Sequence, residues 1–158
     1  MSQSIETSRT PTFNHIAMSV PAELLGEQGR DDLLRFFGEV FGWTEMPGMT
    51  EDKVRLVLRA YSNEQFVYLI ADPDPMRCPK LDHFGLSVGT PKELYDMADR
   101  AHKFQEGDDR VEIVEPKVED FKVVKLHNFY VRYRVPMMIE VQCFDWAPGA
   151  DASSLPDE

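Results

Sequence analysis

The sequence has little positive charge and no long apolar run. Lys and Arg total 17 against 28 Asp and Glu, which gives a net charge of −11 at pH 7. Nucleic-acid binding relies on basic side chains that neutralise phosphates, so we expect no nucleic-acid partner. A membrane-spanning helix needs about 18 or more consecutive apolar residues, and the sequence contains no such run, so we also expect no membrane partner.

Cysteine is scarce as well. Cys78 and Cys143 are the only two in the 158 residues, and their spacing matches neither a metal-binding nor a redox motif. The first dozen residues lack the apolar core of a secretion signal. Both features predict a cytoplasmic protein. The length suits one compact domain, or two small modules that share a core.

The sequence does contain a repeated motif. His15-Ile-Ala-Met-Ser-Val returns as His83-Phe-Gly-Leu-Ser-Val, and both have the alternation of a half-buried strand. One strand face then carries the large apolar side chains, namely Ile16, Met18, Val20, Phe84, Leu86 and Val88. His15 and His83 therefore lie on the opposite face, away from the helices that an apolar sheet face normally covers.

Each copy continues in the same order. Apolar residues at helical spacing predict helices over 30–43 and 91–104, and Thr90 is a favourable N-cap for the second. Further strand patterns cover 53–61, 65–71, 111–115, 121–134 and 137–145. The predicted fold is therefore α+β, with two tandem βαβββ modules that form a curved, barrel-like mixed sheet around a central cleft and carry the helices outside.

Proline and composition mark the boundaries. The stretch ADPDPMRCPK contains three prolines and separates the two copies. We predict a flexible N-terminal tail over 1–12, a first module over 13–71, a linker over 72–80, a second module over 81–146 and a flexible C-terminal tail over 147–158.

Two histidines at equivalent places in a repeat predict a shared site. A pseudo-twofold axis between the modules would bring His15 and His83 toward one point. Glu140 lies on the last strand, on the face opposite its apolar neighbours, and so faces the same cleft. Two imidazoles and one carboxylate would give a divalent transition metal three ligands and leave open positions for a substrate.

Structural interpretations remain open for the same residues. A lone strand histidine is more often structural than a ligand. Glu140 could instead face solvent or pair with Arg132 or Arg134. The metal hypothesis therefore depends on the combination of residues.

Four sequence segments are similar to those of a known family: HIAMSV, LLRFFGEVFGW, DHFGLSV and FYVRYRVPMMIEVQ. In their order and spacing the chain, from about residue 13 to 145, resembles the vicinal oxygen chelate superfamily, which includes glyoxalases, bleomycin-resistance proteins and type I extradiol dioxygenases. The resemblance implies metal ligands at His15, His83 and Glu140 and a substrate with vicinal oxygens. It also implies a homodimer.

The fourth ligand position of that superfamily corresponds here to Tyr68, where metal-dependent lyases and epimerases carry a carboxylate. Two His and one Glu resemble the extradiol dioxygenase set, which implies Fe(II), with Mn(II) or Zn(II) as alternatives. Tyr130, ten residues before Glu140, matches a substrate-contacting tyrosine of those enzymes. Tyr68 stands near the position of their acid/base histidine, although a phenol with an ordinary pKa of about 10 is a poor base at neutral pH.

The most concrete function implied is an extradiol-type dioxygenase, with Tyr130 and Tyr68 as catalytic candidates and Tyr130 and Arg132 as substrate-binding ones. A metal-dependent lyase or isomerase would use the same ligands. A non-catalytic binding protein of the bleomycin-resistance type is the third option. His127 stands near a further histidine of the extradiol enzymes, but strand parity places it on the face opposite Tyr130.

Overall fold

The computed structural model describes residues 11–154. The first module consists of β1 (His15–Val20), α1 (Glu27–Phe41), β2 (Thr44–Glu45), β3 (Arg55–Ser62) and β4 (Gln65–Ala71). The second consists of β5 (His83–Ser87), α2 (Pro91–Gly107), β6 (Val111–Asp120), β7 (Val124–Tyr133) and β8 (Met138–Trp146). The predicted α+β class with two βαβββ modules is confirmed. The tails predicted at 1–12 and 147–158 fall partly outside the described residues.

Each module has its own four-stranded sheet. The strand orders are β1-β4-β3-β2 and β5-β8-β7-β6. The β1–β4 and β5–β8 pairs are parallel, and the other pairs are antiparallel. In both sheets the strand that begins with a histidine is an outer strand, so β1 and β5 each keep one edge outside the ladders of their own sheet.

The predicted strand faces are confirmed. Met18 and Val20 are fully buried in one core cluster with residues of α1, and Phe84 and Leu86 pack against the same core. His15 and His83 lie on the exposed face. Burying the apolar side chains between sheet and helices is the main stabilising term, at about 25 cal/mol per Å² of apolar surface.

The helix ends follow the sequence signals. Thr90 forms a capping box with Glu93, whose side chain accepts from the Thr90 backbone N–H at 2.9 Å. Gly42 ends α1 at φ 72°, a left-handed conformation that suits glycine. Both helices are longer than predicted, since α1 begins at Glu27 and α2 continues to Gly107.

Two strands differ from the prediction. β6 has ten residues where the pattern indicated five, and its pairing with β7 shifts between Val114 and Lys117. Pro116 lies at this irregularity; an outer strand tolerates it because the missing N–H is not needed there. β2 has only two residues, too few for any alternation to show.

The modules meet through their helices, where an ionic cluster lies beside the α1–α2 contact. Asp32 of α1 accepts from Arg110 at 3.0 Å and from Arg134 at 2.8 Å. Asp108 accepts from the Tyr133 hydroxyl at 2.6 Å. The hydrogen bond from Arg110 holds the pKa of Asp108 far below its ordinary value. Arg134 is thus engaged with Asp32, so the sequence alternative that paired it with Glu140 is wrong.

Between residues 11 and 154, no helix combines the length and the apolar character needed to cross a bilayer.

Candidate functional site

Glu140 is a buried carboxylate that faces His83. Its side chain is 7% exposed, and its Oε2 lies 3.1 Å from His83 Nε2. Its Oε1 accepts from Asn128 Nδ2 at 2.9 Å and from the Tyr130 hydroxyl at 2.8 Å. One carboxylate oxygen is therefore held in place by the protein, and the other points at an imidazole nitrogen.

The strand ladder accounts for this arrangement. Tyr130 of β7 lies directly opposite Glu140 of β8, and Gly85 of β5 lies on the other side of Glu140. Residues opposite each other in a ladder share a face, so the hydroxyl and the carboxylate meet without distortion. Gly85 has no side chain, and a Cβ added there would meet nothing within 4 Å.

Tyr130 lies beside Glu140, and burial there changes the pKa of its hydroxyl. Desolvation, together with its hydrogen bond to Glu140, raises the pKa of Tyr130 to about 12. Its ring also meets the His83 ring edge-on, with centroids 5.2 Å apart. At neutral pH Tyr130 is therefore a neutral phenol that donates a hydrogen bond to Glu140 and keeps an oxygen lone pair that can accept another.

The orientation of His83 is fixed from the other side of its ring. Its Nδ1 lies 2.8 Å from the carbonyl oxygen of Leu81, which can only accept, so Nδ1 carries a hydrogen. In the neutral imidazole, Nε2 then presents a lone pair to Glu140 Oε2. Two acceptors that face each other require either a proton or a cation between them, so this pair can hold a proton as an ion pair or serve as two ligands of a metal ion.

His15, in the first module, is oriented by a hydrogen bond at Nδ1 in the same way as His83. Its Nδ1 lies 2.8 Å from the side-chain oxygen of Asn14, and its ring stacks on Phe66 with centroids 4.9 Å apart. The opposite nitrogen, Nε2, is again the one free to bind. Both repeated histidines are thus held with Nδ1 on an oxygen acceptor and Nε2 toward the exposed sheet face, as in many metal sites.

The described part of one chain does not bring His15 to the other two residues. Across residues 11–154, no three His, Cys, Asp or Glu side chains form a group that could hold a metal ion. The convergence expected from a pseudo-twofold axis is therefore not seen within one chain. The physical reason is that the modules pack through α1 and α2, while β1 and β5 lie at the edges of separate sheets.

Tyr68 lies near His15 and lines a cavity of about 360 Å³ on the exposed face of the first sheet. β4 places Tyr68 opposite Ala17 of β1 and Val57 of β3. The short 3-10 helix Pro47–Met49 forms another wall of this cavity. Tyr68 and Tyr130 therefore belong to different sheets in one chain.

Two further candidates have other partners. Arg132 binds both carboxylate oxygens of Glu112, at 2.9 and 2.8 Å, and donates to the Pro136 carbonyl. The alternative that paired Arg132 with Glu140 is therefore wrong. His127 lies against α2, with its Nδ1 3.2 Å from the Tyr95 hydroxyl, as strand parity predicts.

Sequence reasoning missed Asn128 and Phe66. Asn128 is 5% exposed on β7, two residues before Tyr130, and strand alternation places it on the Tyr130 face. That parity, with the buried carboxylate opposite, was the signal available. Phe66 is the ladder partner of His15, and only the β1–β4 register reveals it.

Comparison with known proteins locates this fold. No family model and no curated protein matches the sequence. Among solved structures, a possible glyoxalase from Bacillus cereus is 19% identical, with a TM-score of 0.58 over 85% of this chain and 100% of its own. A glyoxalase/bleomycin resistance protein from Albidiferax ferrireducens is 16% identical, with a TM-score of 0.55 over 83% and 98%.

A lactoylglutathione lyase from Agrobacterium tumefaciens is 12% identical, with a TM-score of 0.59 over 86% of this chain and 96% of its own. At such identities the likeness concerns the fold alone. The chain shares the fold of these glyoxalase and bleomycin-resistance structures, and the fold implied by the resemblance of the four sequence segments is confirmed.

Proposed function

We propose that this chain, which has the vicinal oxygen chelate fold, is a metal-dependent enzyme acting on a small substrate with vicinal oxygens. His83, Glu140 and His15 are the proposed metal ligands. The observation that carries the proposal is that His83 Nε2 and Glu140 Oε2 lie 3.1 Å apart. The other polar atom of each group, His83 Nδ1 and Glu140 Oε1, is held by hydrogen bonds within the protein. His15 presents its Nε2 in the same tautomer.

A second copy of the chain is proposed to supply His15. Both β1 and β5 are outer strands of their sheets, and each begins with one of the two histidines. Outer strands offer unpaired backbone groups to another chain. A twofold dimer that places β1 of one copy beside β5 of the other creates two equivalent sites, each with one module from each copy.

Two His and one Glu form the facial ligand set typical of non-heme Fe(II), and we propose Fe(II), with Mn(II) or Zn(II) as alternatives. When bound, such a metal supplies Lewis acidity to chelating oxygens and a site for O₂. In this setting Tyr130 holds the Glu140 carboxylate and can accept a hydrogen bond from a substrate hydroxyl. Tyr68, beside His15, is placed to donate one. Arg132 remains a candidate for substrate binding only if it leaves Glu112.

The specific reaction proposed is extradiol ring cleavage of a catechol, in which both atoms of O₂ enter the ring-opened product. The pKa of Tyr130, raised to about 12, means that this residue orients groups and does not remove a proton at neutral pH. A lyase or isomerase using the same ligands is the second candidate. The cavity at Tyr68 could equally serve a binding protein without catalysis.

The cytoplasm is the proposed location, since both cysteines are free thiols.

Metal analysis tests the first step of this proposal. Protein purified without chelator and then loaded with Fe(II) under anaerobic conditions should bind about one equivalent of metal per chain, and His83→Ala should abolish binding. His102→Ala is the matched control, because His102 lies on α2 and contacts Glu115 at 3.2 Å. Wild-type protein that binds no metal while still binding small ligands would replace the enzyme proposal with the binding-protein one.

The ring-cleavage step needs its own assay. Fe(II)-loaded protein exposed to monocyclic and bicyclic catechols should consume O₂ and form coloured ring-opened products. Metal binding without any O₂ consumption across this panel would contradict the dioxygenase and favour lyase or isomerase chemistry.

A further inference from the structure

A cavity lies beside His15 on the exposed face of the first sheet. It encloses about 360 Å³, which is within the range of small-molecule sites. Its walls are mostly apolar or aromatic, although His15 and Tyr68 add polar ring atoms and Arg55 adds a permanent cation. The lining side chains are those of His15, Met49, Arg55, Val57, Phe66 and Tyr68.

The apolar part of this cavity has a defined shape. The 3-10 helix Pro47–Met49 packs over β3, so that Val57 is only 1% exposed although it lies on the open face of the sheet. Phe66 and His15, which both line the cavity, stack face to face with an interplanar angle of 5°. A further planar ring can extend this stack or meet it edge-on, and the partly exposed Met49 side chain adds apolar surface beside it.

Arg55 fixes the polar end. Its Nε donates to the Met49 carbonyl at 2.8 Å, and its Nη2 lies 3.5 Å from Glu51 Oε2. These contacts hold the guanidinium at the cavity wall. Its Nη1 has no hydrogen-bond partner in residues 11–154, so a donor is available to an incoming group. Arg55 is thus a positive charge at the cavity wall, and its Nη1 can donate to an anion while its Nη2 faces Glu51.

We infer that this cavity binds an aromatic ring that carries an anionic group, with the ring against Phe66 and Met49 and a carboxylate or similar anion on Arg55. The substrate class is thus an aromatic acid, not a neutral aromatic compound. The inference rests on the proposed function in one respect: the cavity is taken as part of the substrate site because His15, a proposed metal ligand, is one of its walls.

The test uses 2-naphthoate as the probe, with the neutral 2-naphthamide and the ringless acetate as comparisons. Calorimetric titration of the full chain should show binding of naphthoate. Naphthamide and acetate should each bind at least about tenfold more weakly, a factor that corresponds to about 1.4 kcal/mol. Equal binding of naphthoate and naphthamide would overturn the anion part, and equal binding of naphthoate and acetate would overturn the aromatic part.

Two arginine variants locate the anion. Arg55→Met should weaken naphthoate binding at least about tenfold, to the level of naphthamide, which Arg55→Met should bind as the wild type does. Arg59→Met is the matched control, because Arg59 lies on the same strand and face but donates to Thr44 at 2.8 Å. Circular dichroism checks that both variants fold. Unchanged affinity in Arg55→Met, or an equal loss in Arg59→Met, would overturn the assignment.

Chelator separates this inference from the proposed function. With excess EDTA, naphthoate should still bind, since none of its proposed contacts is a metal. Naphthoate binding in a protein that takes up no metal would leave the aromatic-acid site in place and remove the metal enzyme. Metal uptake without naphthoate binding would remove the aromatic-acid site and leave the metal enzyme in place.

Discussion

Asn128 offers the sharpest perturbation of the proposed metal site that leaves all three ligands in place. Its Nδ2 donates to Glu140 Oε1 at 2.9 Å, and the residue is 5% exposed. Asn128→Leu removes this donor and nearly keeps the side-chain volume. The carboxylate then retains one of its two hydrogen bonds on Oε1, the one from Tyr130.

Two magnitudes follow. A hydrogen bond to a buried charged group contributes about 1.5–3 kcal/mol to stability. Burial of the apolar leucine side chain offsets part of the loss of this bond. The Oδ1 of Asn128 is also buried without a partner within the described residues, so its removal relieves a second cost. We expect the free energy of unfolding of the metal-free protein to fall by about 1–2 kcal/mol. The metal dissociation constant should rise about 10–100-fold, as for other partners that orient a ligand.

Urea denaturation measures the first quantity, and competition with a chelator of known affinity measures the second. Gln142→Leu is the matched control, because Gln142 is the direct ladder partner of Asn128 on the same face and makes no side-chain hydrogen bond in residues 11–154. An Asn128→Leu protein with wild-type metal affinity would refute the idea that Asn128 holds Glu140 for metal binding.

Three other predictions concern stability. A Cβ at Gly29 would collide with a backbone carbonyl of the preceding 3-10 helix, so Gly29→Ala should lower the free energy of unfolding by about 1–3 kcal/mol, whereas Gly107→Ala, with open space around it, should not. The lowered pKa of Asp108 stabilises the fold above about pH 4 and loses this effect as pH falls; Asp108→Asn should flatten the acid limb of a pH–urea profile, while Asp109→Asn should leave it unchanged. The pKa of Tyr130, raised to about 12, favours the fold below about pH 10 and loses this effect toward pH 12; absorbance titration should find one tyrosine fewer titrating late in Tyr130→Phe, and an unchanged titration would contradict the assignment.

Much of the fold was predictable because the local signals agree. The alternation around His15 and His83 determined which face of each strand meets a helix, and Thr90 marked the start of α2. The extent of β6 was not predictable, because Pro116 interrupts the strand pattern and only pairing with β7 carries the strand past it.

The candidate site was predictable in its members but not in its assembly. Strand parity placed Glu140 on the cleft face, and the structure joins it to His83 at 3.1 Å. Whether His15 reaches the same point depends on how the two sheets sit, which is determined by contacts between α1 and α2 and by the ionic cluster at Asp32. Such contacts between distant residues leave no periodic pattern in a sequence.

The central claim is that each metal site takes His15 from one copy and His83 with Glu140 from another. Subunit complementation tests it most directly. His15→Ala and His83→Ala proteins, each carrying a different affinity tag, should bind no metal when purified alone. In the mixed dimer, one site receives His15 from the His83→Ala chain and both His83 and Glu140 from the His15→Ala chain, and the other site receives neither histidine.

The mixed dimer, co-expressed and purified through both tags, should therefore regain about one metal ion per two chains. A mixed dimer that stays as free of metal as its two parents, while the wild-type dimer binds metal, would contradict a site shared between copies.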